Sequence, residues 1–259
     1  MIRDEIVPSI KNWQVWLYLS WFDIKQRYKR STLGPLWVTI STGILIGMLS
    51  ILWSTLFKLD VKDYVPFFSI GQVVWTYISM QLTDASIGFS QFDYIIKQGK
   101  VSFSSFILRL LSRNLIIFFH NFLIVIFVIT FVSQSGWNFI AILSIFGLLL
   151  LSISLFAMSL ILSVICTRFR DVQMIIQNIL LVAFYFTPIM WKTDQLSDRI
   201  NFYVNFNPIV HYMSIIRDPL LGQMPGAMSW YVAIGFALIL LLLSFFTLKK
   251  YRNRIAYWL

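Results

Sequence analysis

The chain has 259 residues, of which 58% are apolar and only 12% charged. A soluble domain carries about twice that charged fraction. With a mean hydropathy of +0.76 and several apolar runs near 20 residues, it reads as a polytopic membrane protein. The single cysteine, Cys166, excludes an internal disulfide and a multi-cysteine metal site. The +10 charge is scattered over the ends of the apolar runs, which fits membrane orientation better than nucleic-acid binding.

The first 35 residues are polar and basic with no long apolar core, so the first span is expected to target the chain itself. Positions 13, 16, 17, 20, 21 and 24 follow helical spacing, with Ser20 alone breaking an apolar stripe. Lys25, Arg27, Lys29 and Arg30 follow. The pattern predicts an amphipathic helix lying in the membrane interface, with Gly34-Pro35 turning the chain into the first span. Arg27, Lys29 and Arg30 stand at headgroup level, where guanidinium groups suit phosphate. Attraction to anionic lipid is the simpler reading of the same three residues.

Six spans are predicted, at Leu36–Phe57, Tyr64–Gly88, Leu115–Val132, Phe139–Ile165, Met174–Trp191 and Trp230–Leu248. The second is the least apolar. Sixteen of the 21 Lys and Arg fall on the side that holds both termini and the second and fourth loops, which makes that side cytoplasmic. Within span one, Gly43, Gly47, Ser50 and Ser54 form a small-residue stripe, equally suited to packing inside the subunit or between subunits. Asp84 falls near the cytoplasmic boundary of span two and reads as a headgroup-level residue. His120, a short way into span three, suggests an interhelical hydrogen bond.

The 38-residue stretch 192–229 is too apolar for a simple solvated loop. Asn207-Pro208 has the form of an N-cap followed by proline in the first turn, which predicts a short helix from Pro208 to about Arg217, ended by Pro219. Phe184-Tyr185-Phe186 lies in the outer half of span five, where Pro188 is expected to kink the helix and re-aim the cluster. Aromatic faces stack on sugar rings, so Tyr185 and Phe186, with Trp37 and Phe57 on span one, are the candidate lining of a substrate pathway. A loop at 91–103 exposes Tyr94, Ile95 and Ile96 to an aqueous compartment, which suggests a covered surface. No Walker A, GxSxG or HExxH pattern occurs, and the two histidines form no metal cluster.

Several stretches resemble the permease subunit of type-2 ABC exporters of polysaccharide. They are Arg27-Tyr28-Lys29-Arg30-Ser31-Thr32-Leu33-Gly34-Pro35-Leu36-Trp37, Arg168-Phe169-Arg170-Asp171-Val172, Phe186-Thr187-Pro188-Ile189, the run from Asn207-Pro208-Ile209 to Arg217-Asp218-Pro219-Leu220-Leu221-Gly222, and Arg254-Ile255-Ala256-Tyr257-Trp258. The loop after span two lacks the proline common in that family. The resemblance implies an all-α membrane protein that is one permease domain over 1–259. An interface helix occupies 1–35, six spans fill 36–248 with short extracytoplasmic helices between spans five and six, and a tail covers 249–259. It implies a homodimer in the bacterial inner membrane with two ATP-binding cassette subunits docked near Tyr94, Ile95, Ile96, Arg168, Arg170 and Asp171. ATP and Mg would be held by those partners, with no cofactor in this chain. The cargo implied is a lipid-linked glycan, O-antigen foremost, with capsule, teichoic acid, or a small lipid or drug as alternatives. An enzyme or scramblase acting alone would need paired polar groups at mid-bilayer depth, which the spans do not offer.

Overall fold

A computed structural model describes the chain except residues 1–4, 6, 30, 35, 99–101, 134–135 and 194–196, and except the side chains of Phe57 and Asp198. Among the described residues it is helical throughout, with no strand. Eleven α-helices occur in order: α1 (Val7–Lys11), α2 (Trp13–Arg27), α3 (Leu36–Phe57), α4 (Val61–Ile87), α5 (Asp93–Lys97), α6 (Phe103–Phe131), α7 (Leu143–Arg168), α8 (Val172–Phe186), α9 (Asp198–Val204), α10 (Pro208–Leu220) and α11 (Ala227–Trp258).

Four of the described helices are long and apolar enough to cross a membrane: α3, α6, α7 with its leading turn at Phe139–Ile142, and α11. The centre of the bundle is nevertheless α4. It packs against α3, α6, α7 and α8, and buries Tyr64, Phe68, Tyr77 and Gln81. Asp60 caps its start by accepting from the Lys62 amide at 3.0 Å. Pro66, the sixth residue of the helix, cannot donate to the Lys62 carbonyl, so one bond of the ladder is missing there.

Glu5 and the C-terminal part of α11 lie at one end of the bundle. Glu5 accepts from Arg252 of α11 at 2.7 Å, and Ser9 hydrogen-bonds Ser102 at 2.6 Å. A second apolar cluster fills this end, built from Phe89, Phe92, Phe103, Phe106, Leu248 and Ile255 among others. Cys166, near the end of α7, is buried in the main core.

Helix α2 forms, but its inward face differs from the expected stripe. Ser20 and Ile24 are buried against α6, whereas Trp13, Leu17 and Trp21 stay exposed. The small residue that breaks the apolar stripe is itself fully buried. Gly34 turns the chain at φ +57°. Pro35, expected to share that turn, lies outside the described residues. The small-residue stripe of α3 turns mostly inward, with Ser50 and Ser54 buried and a Cβ at Gly43 meeting Ile124 of α6 at 3.7 Å. Gly47 faces open space. His120 bonds the Ile116 carbonyl of its own helix at 2.8 Å, so the expected interhelical bond does not form.

Pro188 ends α8 and does not kink it. The helix stops at Phe186, and Thr187 takes an extended conformation (φ −100°, ψ 136°), since the residue before a proline is pushed out of the helical region. The following segment is pinned from three sides. Tyr64 donates to the Met190 carbonyl at 2.7 Å, Arg217 donates to the Pro188 carbonyl at 2.7 Å, and Asn207 donates to the Thr187 hydroxyl at 3.1 Å.

The N-cap of α10 forms as expected, with the Asn207 side chain accepting from the Ile209 amide at 3.0 Å. The helix runs on to Leu220, past Arg217. Pro219 cannot donate to the Ile215 carbonyl. That carbonyl instead faces Gly147 of α7, where an added Cβ would lie 2.8 Å from it. Ser144 donates to the next carbonyl, Ile216, at 2.9 Å. Small residues on α7 thus let α10 sit directly on its backbone.

Candidate functional site

Two polar regions and one aromatic face carry the chemistry that the bundle offers. The first polar region is at the end that holds the termini. Arg109 of α6 grips Asp23 of α2 with two bonds, Nε to Oδ2 at 2.8 Å and Nη2 to Oδ1 at 2.6 Å. The guanidinium also lies 5.0 Å from the centre of the Phe92 ring. One helical turn further along α6, Arg113 donates to Asp84 of α4 at 2.7 Å. Asn114 donates to the same carboxylate at 2.9 Å and to Gln81 at 2.8 Å, and Gln81 donates to Ser159 of α7 at 2.9 Å. Asp84, expected near the cytoplasmic boundary, is an internal partner of α6, its charge met by Arg113. This chain of bonds ties three helices together at fixed register.

Beside it lies a polar cavity of about 440 Å³ bordered by Asp23, Arg27, Gln91, Arg109 and Arg113. Of the three residues predicted for a headgroup, Arg27 borders this cavity and Lys29 is exposed next to it. Arg30 lies outside the described residues.

The predicted coupling residues separate into two groups. The loop folds as a short turn at Ser90–Phe92 and the helix α5. Tyr94 is 79% exposed, Ile95 is half-buried, and Ile96 is buried in the apolar cluster of its own chain. Arg168, Arg170 and Asp171 are exposed at the turn between α7 and α8. Arg168 lies between two rings, 5.0 Å from Phe169 and 5.2 Å from Trp258 of α11. That contact joins the predicted hinge to the chain's C-terminal residues.

The predicted aromatic lining is exposed. Tyr185 is 62%, Phe186 68% and Trp37 57% exposed. The side chain of Phe57 lies outside those described. Phe184, the third member of the cluster, turns inward and packs on Trp75 with ring centres 5.6 Å apart.

The second polar region is at the opposite end, under α9 and α10. It encloses about 660 Å³ between the start of α4, the segment after α8, and α10. Arg217 is its deepest charge, with its guanidinium 3.8 Å from the centre of the Phe67 ring. His211 is held on both ring nitrogens, by the Asn205 carbonyl at 2.8 Å and the Ser229 hydroxyl at 3.2 Å. Sequence reasoning used Arg217 only as a helix-end marker and passed over Gln81, Arg113 and Asn114. The available signal was that each carries a polar or charged group inside or beside a long apolar run, where such a group needs a partner.

Comparison with known proteins identifies the class. The family model described as ABC-2 type transporter matches residues 14–221, so this chain belongs to the ABC-2 type transporter family. The matched stretch contains the Asp23–Arg109 clamp, the Asp84 network, and α10 with Arg217. The chain is 25% identical to an O-antigen export system permease protein of Klebsiella pneumoniae, over 89% of this chain and 90% of that protein. A second Klebsiella pneumoniae protein of the same description is also 25% identical, with the same coverage. One from Myxococcus xanthus is 23% identical over 74% of each chain.

Proposed function

We propose that this chain is the membrane subunit of an ATP-driven exporter that carries a lipid-linked glycan, O-antigen foremost, across the bacterial inner membrane. The observation that carries the reading is the match along nine-tenths of both chains to O-antigen export system permease proteins. Composition supports it, since the chain is 58% apolar and carries no nucleotide-binding motif, so ATP and Mg would be held by a partner subunit.

In this reading six segments cross the bilayer: α3, α4, α6, α7, α8 and α11. Helix α4 crosses although it is less apolar, because its polar residues face protein. Helix α8 has 15 residues, about 22 Å at 1.5 Å per residue, against a hydrocarbon core of about 30 Å. The pinned segment 187–191 would complete its passage, as irregular backbone can do where protein surrounds it. Both termini are cytoplasmic by the distribution of Lys and Arg. Helix α2 lies at that interface, while α9 and α10 form the extracytoplasmic helices.

Two copies of the chain would assemble across α3 and α8, whose exposed faces carry Met48, Ile51, Ile175 and Ile179. Trp37, Tyr185 and Phe186 on the same helices would then line a path on which sugar rings slide by stacking. Two ATP-binding subunits would dock on Tyr94 and the 168–171 turn. Arg27, Lys29 and Arg30 would meet the pyrophosphate of the lipid carrier.

The test is deletion of the gene in a host that still synthesises the glycan. Lipid-linked glycan should then accumulate on the inner leaflet and disappear from the surface, and a plasmid copy should restore it. Surface glycan unchanged by the deletion would discard the reading. Altered tolerance to small amphiphiles, with normal glycan, would favour the small-lipid alternative.

A further inference from the structure

The cavity under α10 has the make-up of a ligand site. Its volume of about 660 Å³ falls within the roughly 300–1,000 Å³ of small-molecule sites. Lys62, Lys192 and Arg217 reach its wall, with Asp63 and Asp218 as the acids among the wall residues. Two of the cations converge on one ring. Arg217 is 3.8 Å and Lys192 5.5 Å from the centre of Phe67. A ring face attracts a cation but carries no net charge, so it does not neutralise two.

Asp218 pairs with Arg217 by charge but gives it no hydrogen bond. Its Oδ1 is 4.0 Å from Arg217 Nε, beyond hydrogen-bond range, and its Oδ2 accepts from Ser214. Arg217 is 7% exposed and spends one N–H on the Pro188 carbonyl. Its Nε has no hydrogen-bond partner. A buried polar group left unpaired is costly; the Nε itself is covered, and Arg217 reaches the cavity wall through the rest of its side chain. Burial lowers the pKa of Arg217 to about 10, so it is charged at neutral pH.

A guanidinium and an ammonium that share one ring are together suited to an oxyanion. Thr193, Ser214, Gln223 and Ser229 on the same wall supply hydroxyl and amide groups that pair with a polyol. The volume exceeds what a bare anion fills. We propose that this cavity binds an acidic sugar unit, a uronic acid or a sugar phosphate, through Arg217 and Lys192. That its source is the exported chain rests on the export reading; the binding itself does not.

The same oxyanion chemistry occurs on anionic lipid headgroups, so the test separates the two sources. The full chain in phosphatidylcholine nanodiscs is titrated by NMR with glucuronic acid, glucose 1-phosphate, glucose and inorganic phosphate. The acidic sugars should bind at least tenfold more tightly than glucose or phosphate. Lys192→Gln should weaken them about tenfold and Lys192→Arg should retain them. Arg217→Gln should act in the same direction, but because Arg217 also holds the Pro188 carbonyl, Lys192→Gln is the deciding variant. Acidic sugars no tighter than glucose, or unchanged in Lys192→Gln, overturn the proposal. Inorganic phosphate as tight as glucose 1-phosphate overturns the sugar part of it. Displacement of glucuronic acid by nanodiscs containing phosphatidylglycerol assigns the site to lipid and also overturns it, whereas unchanged binding supports it. No ATPase is present in this assay, so a failed export experiment and a failed binding experiment remain separate results.

Discussion

Helices α3 and α4 lie side by side and reverse the rule that holds in soluble proteins. Only 11% of the most apolar stretch of α3 is buried, and Trp37, Met48 and Ile51 all face outward. Helix α4 is not among the four helices apolar enough to cross a membrane, yet it buries Tyr64, Ser69, Gln81 and Ser86 completely or nearly so. Acyl chains solvate a leucine as well as a protein core does, so apolar character does not draw a helix inward. Polar groups do, because only other protein groups can satisfy them there. In this bundle hydropathy marks the outward faces, and polarity marks the centre.

The sharpest way to break that contrast is through the most buried charge pair. Arg113→Leu leaves the Asp84 carboxylate without its cation, and should cost about 3–5 kcal/mol in denaturant unfolding of the detergent-solubilised chain. The double variant with Asp84→Asn should recover part of the loss. Stability unchanged in Arg113→Leu would mean that the centre of the bundle is wet and the contrast false. A somewhat smaller effect is expected from Gly147→Ala, whose Cβ would sit 2.8 Å from the Ile215 carbonyl oxygen. Overpacking against backbone should cost about 1–3 kcal/mol, seen as a lower thermal midpoint. If the midpoint holds, α10 is free to shift on α7.

Gln81→Leu makes α4 more apolar and should nonetheless destabilise by about 1–2 kcal/mol, since it strands Asn114 and Ser159. The same unfolding titration checks the sign, and a stabilising result would show that the polar chain contributes nothing to folding. At the small end, Met48→Ala and Ile51→Ala on α3 should each change unfolding by less than about 0.5 kcal/mol. The same changes should lower crosslinking between copies through cysteines introduced on α3. A loss above about 1 kcal/mol would place those side chains in a packed face of the single chain.

The features legible in the sequence are those set by local chemistry. Span one was expected at Leu36–Phe57, and α3 has those bounds. Asn207-Pro208 specified the start of α10 because a side-chain cap and a proline act within one turn. What was not legible depends on partners distant in the chain. Asp84 pairs with Arg113 and Arg217 with Pro188, each 29 residues away, and no periodicity announces either contact. Ser20 read as a flaw in a stripe because the stripe was scored for apolar content, whereas packing against α6 rewarded small size. Pro188 was read as a kink because the run seemed to continue to Trp191, but the restriction it places on Thr187 stops the helix first.

Helix α11 runs unbroken from Ala227 to Trp258, 32 residues or about 48 Å. Ser229 near its start borders the outer cavity, and Trp258 at its end touches Arg168 on the hinge. A stiff rod of that length transmits tilt with amplification. Pivoted at one end by about 10°, it sweeps the other through about 8 Å. The Trp258–Arg168 contact and the Ser229 side of the outer cavity thus sit at the two ends of one lever.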